Sequence, residues 1–188
     1  GRRSDVPRRD SSSQTPAVGG RVSLRRMLAD GRRGDLIGFV LVADADRLVV
    51  RDRRGVVHEL SWPDVLALRG VGVARGRDPL RSPRTELDRL AVAAGVSGRV
   101  FVARLSELLD GREPLAPPDW AAPPPCPATL EGEWVTAGPS PHLLALAWWA
   151  SHHDARSIQV RTGDAGAIAE LAQLGLRERT DEAAPGQN

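Results

Sequence analysis

The chain contains no lysine, no tyrosine, one cysteine and two phenylalanines among 188 residues. The single cysteine, Cys126, excludes an internal disulfide and a cysteine-based zinc site, so no metal is expected. Without tyrosine, no phenol is present to serve as a proton donor in catalysis. Long apolar runs are also missing. The longest, around residues 143–150, falls far short of the roughly 20 residues that a membrane-spanning helix needs, so no membrane partner is expected. The opening residues are polar and Arg-rich and have no apolar stretch of the kind a secretory leader carries. Gly1 where an initiator Met would stand suggests a trimmed or incomplete N-terminus, and the expected location is the cytoplasm.

What is present is sufficient for folding. Hydrophobic residues make up 41% of the chain, near the globular average, and the length suits one domain or two small ones. All 26 basic residues are arginine, as GC-rich coding would produce. Net charge is only +2 but is unevenly spread. Residues 1–76 hold 15 Arg against 9 acids, and residues 77–188 hold 11 against 15. This asymmetry points to an anionic partner for the first half, or to one half docking on the other.

Residues 1–18 have almost nothing to bury and are expected to be a disordered basic tail. From Gly19 the pattern becomes short strands broken by turns, at 21–27, 35–43, 47–52, 56–60 and 65–73. In residues 35–43 both faces are apolar, as in a central strand, with Gly38 at a bend or bulge. Asp52-Arg53-Arg54-Gly55 is a hairpin signal. Ser61-Trp62-Pro63-Asp64 is a single helical turn, because Pro suits the first helical position after a Ser cap. Five strands with one helical turn before the fifth describe a small SH3-like β-barrel over residues 19–76.

Residues 77–127 are expected to hold a helical pair and a Pro-rich linker. The first helix starts at Ser82-Pro83, places Leu87, Leu90, Ala91 and Ala94 at helical spacing, and stops at Gly95. A second helix is predicted from Ser97 to Gly111, with Phe101, Leu105 and Leu108 on one face. Residues 113–127 are too rich in proline for a helix or a central strand. Residues 128–180 follow the order β-α-β-α: a strand over 133–137, a helix over 141–153, a strand over 156–161 and a helix over 164–174 stopped by Gly175. The last residues, 181–188, are a second disordered tail. The fold class is therefore α+β.

The segment HLLALAWWASHHDARSIQVRTGDAGAIAELAQLGLRER resembles the C-terminal third of GNAT-family N-acetyltransferases. That family closes with a helix, a strand, a helix and the pattern Asn-x-x-Ala-x-x-Leu-Tyr-x-x-x-Gly-Phe. Here Asp164 stands for Asn, Ala167 for Ala, Gly175 for Gly and Leu176 for Phe. Residues 19–73 are similar to the SH3-like module that precedes the GNAT domain in a group of actinobacterial acetyltransferases, and the order of the two modules agrees. The resemblance implies acetyl-CoA as cofactor, Asp164 at a cofactor-side position, and acetyl transfer to an amine. The chain departs from the pattern where the chemistry would lie. A glycine-rich pyrophosphate loop is expected before Leu143, because backbone N–H groups at a helix N-terminus bind phosphates. This chain has Ala137-Gly138-Pro139-Ser140-Pro141-His142, in which two prolines remove two donors. The family's tyrosine position is occupied by Leu171. The resemblance thus implies a degenerate or truncated relative with no catalytic residue to name, and the alternative is a non-enzymatic binding module.

Arg32, Arg33, Arg53 and Arg54 sit at predicted hairpin tips of the barrel, where they would meet a protein or nucleic-acid partner. The predicted strands show no aromatic interleaving, so solvated turns are the default expectation for them. His152 and His153 are expected at a solvated helix C-terminus, His58 and His142 have no evident partner, and Cys126 is expected to be an inert loop thiol. Of Trp148 and Trp149, one is expected to face inward and the other to lie near the rim.

Overall fold

The computed structural model describes residues 15–115 and 122–181. Most of each expected tail, and the middle of the Pro-rich linker, lie outside the described residues. The chain divides into two compact units, Gly1–Gly70 and Val71–Asn188, and the described part is α+β.

The first unit is a five-stranded sheet in which the first four strands pair antiparallel in turn. Its strands are β1 (Arg21–Met27), β2 (Arg33–Ala43), β3 (Arg47–Asp52), β4 (Val57–Ser61) and β5 (Val65–Val71), in the order β4-β3-β2-β1-β5. The alternating pattern does what a half-buried sheet requires. Val22 and Leu24 of β1, Leu36 and Val40 of β2, Leu48 and Val50 of β3, and Leu60 of β4 form one core on one face. Gly38 has a specific reason to be glycine: a Cβ there would lie 2.3 Å from the carbonyl oxygen of Arg51 and 2.7 Å from Val50 Cγ1. The bulge falls slightly later than expected, between Val40 and Val42. Residues 62–64 form the expected single helical turn, with Pro63 inside it, although Ser61 makes no side-chain cap. Among the described residues β4 and β5 do not pair with each other, so the sheet is compatible with the expected strand-rich module but no closed barrel is found.

The second unit is also built on a five-stranded sheet, in the order β10-β6-β9-β8-β7. Its elements are α1 (Arg84–Ala94), β6 (Arg99–Arg104), α2 (Leu105–Leu108), β7 (Ala128–Glu131), β8 (Trp134–Ala137), α3 (Leu143–His152), β9 (Ser157–Thr162), α4 (Ala165–Leu174) and β10 (Arg177–Arg179). The helix predicted from Ser97 is corrected: residues 99–104 are a strand, and only 105–108 are helical. The reason is burial on both sides. Val100, Phe101, Val102 and Ala103 are all inside, so the run carries no amphipathic signal of either period, and its β-branched residues settle it as a strand. Two further strands, β7 and β10, were not expected. All pairings are antiparallel except β8 with β9, which run parallel through the α3 crossover.

Register divides this sheet into two faces. Phe101, Ala103, Val135, Ala137, Ile158 and Val160 share one face with α3 and α4, whose Leu146, Ala147 and Leu171 close over them. On the other face Val100, Val102 and Trp134 pack against Leu87 and Leu90 of α1. Trp148 and Trp149 are both buried, so the rim position expected for one of them is not found, and Cys126 is buried in the same core.

Candidate functional site

The site implied by the acetyltransferase resemblance would lie at the carboxyl ends of the parallel pair, where α3 begins. Ala137 ends β8 and the chain crosses residues 138–142 into α3, whose N-cap His142 offers no side-chain hydrogen bond. Within this stretch the His142 backbone N–H donates to Ser140 Oγ at 3.0 Å. Asp164, the expected cofactor-side residue, caps α4. Its Oδ2 accepts from the Ala167 N–H at 2.8 Å, and its own N–H donates to Thr162 Oγ1. Leu171 is 1% exposed and belongs to the core beneath α4.

The four arginines expected at hairpin tips are exposed, and both tips lie at the same end of the first sheet because β1 and β3 run in the same direction. They do not form one cluster. Met27 pairs with Arg33 while Asp52 pairs with Gly38, so the tips are stepped by five positions along β2, about 17 Å along the strand. Arg32 is turned back on its own loop, where its Nε lies 2.7 Å from Asp30 Oδ2. The hydrogen bonds from the Arg32 backbone and side chain hold the Asp30 carboxyl below the usual carboxylate range.

Between the tips the outward face of the sheet carries what the sequence reading missed. Arg21 of β1, Phe39 of β2, Arg51 of β3 and Val57 of β4 occupy one cross-strand row. Ile37 and Val57 on this face are 48% and 56% exposed. An aromatic ring therefore stands between two arginines, and the signal was hidden because the three residues are 12 to 30 positions apart in sequence. Arg25 and Arg47 on the same face are paired with Asp35 and Glu59.

His58 does have partners. Its Nε2 lies 2.8 Å from Asp52 Oδ2 and its Nδ1 lies 3.3 Å from Arg26 Nη1. A guanidinium only donates, so Nδ1 accepts and Nε2 carries the proton given to Asp52. That hydrogen bond is the main reason the Asp52 carboxyl sits below its ordinary range. His152, expected to be solvated, is buried, and His153 lies with its ring centroid 4.7 Å from that of Trp149.

In the second unit the face beneath α1 holds a buried polar layer. Arg161 of β9 donates from Nε to Gln159 Oε1 at 2.7 Å and from Nη2 to Asp88 Oδ1 at 2.8 Å. Arg84 Nε donates to the same Asp88 oxygen at 3.0 Å, and Gln159 Nε2 donates to the Leu87 carbonyl at 3.1 Å. Burial pushes the Asp88 carboxyl upward, but the hydrogen bonds from Arg161 and Arg84 outweigh it and hold it below the ordinary range.

At the edge of this layer a pocket of about 450 Å³ opens between α1, the β7–β8 turn and residues 77–82. Trp134 and Ser157, the first residues of β8 and β9, line it, so it lies at the amino ends of the parallel pair. This is the opposite end from the acetyltransferase-like position. Among the described residues no group of three or more His, Cys, Asp or Glu is placed to hold a metal, and no helix is long and apolar enough to cross a membrane. No family model matches the chain, and comparison with curated proteins and with solved structures finds no match either.

Proposed function

We propose that this protein is a cytoplasmic binding protein in which the first unit grips single-stranded nucleic acid and the second is a GNAT-related unit without acetyltransferase activity. The observation that carries the reading is the row Arg21–Phe39–Arg51–Val57 on the outward face of the first sheet, continued by exposed Arg53 and Arg54 at the adjoining turn. Aromatic rings on a basic sheet stack bases while arginines follow the phosphates. The excess of arginine in residues 1–76 favours the same partner. The relation of this unit to SH3-like modules rests on its five strands and the single helical turn before the fifth.

Fluorescence anisotropy with a labelled 12-nucleotide oligo(dT) or oligo(U) tests the reading. Three to four phosphate contacts give a log–log salt slope of about −2 to −3. Removing Arg51, Arg53 and Arg54 together should flatten the slope by about 2, and Phe39→Leu should weaken binding by about 10-fold. Binding that is absent at low salt, or indifferent to these changes, would rule the reading out and leave a protein as the partner of this face.

A second reading, acetyl-CoA binding by the second unit, is favoured by the parallel β8–β9 pair joined through α3 and followed by the Asp164-capped α4. Against activity stand Pro139 and Pro141 before α3 and the burial of Leu171. A ligand at 100 times its dissociation constant stabilises by about 2.7 kcal/mol. A clear rise in melting temperature with acetyl-CoA, accompanied by transfer to an amine, would restore the enzyme.

A further inference from the structure

The pocket beside α1 is organised in a way that neither the nucleic-acid reading nor the acetyltransferase resemblance uses. Its lining includes Arg77, Arg81, Glu86, Glu133, Trp134 and Leu90. Arg89 and Glu131, also on the wall, neutralise each other at 2.7 Å. The other four charges do not pair off. Among the described residues Arg77, Arg81, Glu86 and Glu133 form no ion pair and no side-chain hydrogen bond. Two cations and two anions thus face one cavity without quenching one another, over an apolar floor of buried Trp134 and Leu90.

The walls are held in place. Residues 76–82 have little regular structure, yet two arginines from the sheet fix their carbonyls. Arg104 Nε donates to Gly76 O at 3.1 Å and to Arg77 O at 3.3 Å, and Arg179 donates to Ser82 O. Asp78 Oδ1 accepts from Leu80 N–H at 3.0 Å and starts the short turn that carries Arg81. Gly76 sits so close to Arg156 that an added Cβ would lie 2.7 Å from that residue's Cβ. Glu86 stands on the same α1 face as Pro83 and Leu90, one turn away from each. Glu133 is presented by the two-residue turn Gly132-Glu133, whose backbone is anchored where Glu133 O accepts from the N–H groups of Arg156 and Ser157.

We propose that this pocket binds a small zwitterion, a free amino acid or dipeptide carrying both a carboxylate and a primary ammonium. Arg77 and Arg81 would take the carboxylate, Glu86 and Glu133 the ammonium, and Trp134 and Leu90 an apolar side chain. A ligand of one sign meets repulsion from the pair that shares its sign, whereas a zwitterion satisfies both pairs, so selectivity is built in by charge arrangement. A cavity of about 450 Å³ lies within the ordinary range for small-molecule sites.

The test is isothermal titration of the full chain with the dipeptide Leu-Leu, its N-acetylated form and its C-terminal amide. The free dipeptide should bind saturably, and each capped form should bind at least about 10-fold more weakly, since a hydrogen bond to a charged group is worth that much. Arg77→Ala/Arg81→Ala should abolish discrimination against the amide, and Glu86→Gln/Glu133→Gln should abolish discrimination against the acetylated form. Among the described residues these four side chains form no hydrogen bond, so all variants should keep the wild-type melting temperature. Absence of saturable binding, or equal binding of free and capped dipeptides, overturns the proposal. The oligonucleotide assay concerns the other unit, so its outcome leaves this one untouched.

Discussion

Replacing Asp88 with alanine should unlock the second unit from inside. Its side chain is 13% exposed, and Arg161, which it neutralises, is 8% exposed. Removing one partner of a buried pair leaves an uncompensated buried charge and costs about 3–5 kcal/mol. Arg161 retains Gln159 Oε1, and Arg84 retains Asp181, so the lower end, about 3 kcal/mol, is expected. For a unit of this size each kcal/mol lowers the melting temperature by about 4 °C, so Asp88→Ala should melt about 12 °C below wild type in calorimetry. The double change Asp88→Leu/Arg161→Met removes both charges and should recover at least half of that loss. The pH dependence has a definite sign. Because the folded carboxyl is held below its ordinary value, its contribution is complete above about pH 4–5 and fades as pH falls through the depressed folded value. Wild type should therefore lose its advantage over Asp88→Asn in acid. A cost below about 1 kcal/mol for Asp88→Ala, or a double variant less stable than the single, would refute the reasoning.

Gly38→Ala should destabilise the first unit by about 2–3 kcal/mol, measured by urea denaturation, because the new Cβ meets the Arg51 carbonyl at 2.3 Å. Leu171→Ala should cost about 2–5 kcal/mol as a cavity change, and Leu171→Tyr should also destabilise and yield no acetyl transfer. Asp164→Ala should cost about 1 kcal/mol through loss of the α4 cap, read as a lower melting temperature of the second unit.

The first unit was largely legible because its strands alternate and its turns announce themselves. Residues 21–27 and 47–52 were bounded as the structure has them, and Gly38 was marked as unusual. The second unit was harder to read for a physical reason. Phe101, Leu105 and Leu108 fall at helical spacing by coincidence, while residues 100–103 are buried on both sides and obey no period. Strands β7 and β10 are four and three residues long, too short to carry a pattern. The candidate sites were least visible. The Arg–Phe–Arg row comes from three strands, the pocket from several separate segments, and His58 meets Arg26 across 32 positions. Adjacency of that kind exists only once registers are set, whereas Leu171 and Asp164 could be questioned from their residue types alone.

The strand order of the second sheet has a consequence for synthesis. The first sheet has all its partners once residue 71 has emerged, so it can fold while the rest of the chain is still being made. Among the described residues strand β6 pairs only with β9 and β10, which lie more than 50 residues downstream. Until residue 162 clears the ribosome, the Val100–Phe101–Val102 segment has no strand on either edge, and only the preceding α1 is available to cover one of its faces, a window in which nascent chains are open to aggregation or to capture by a chaperone.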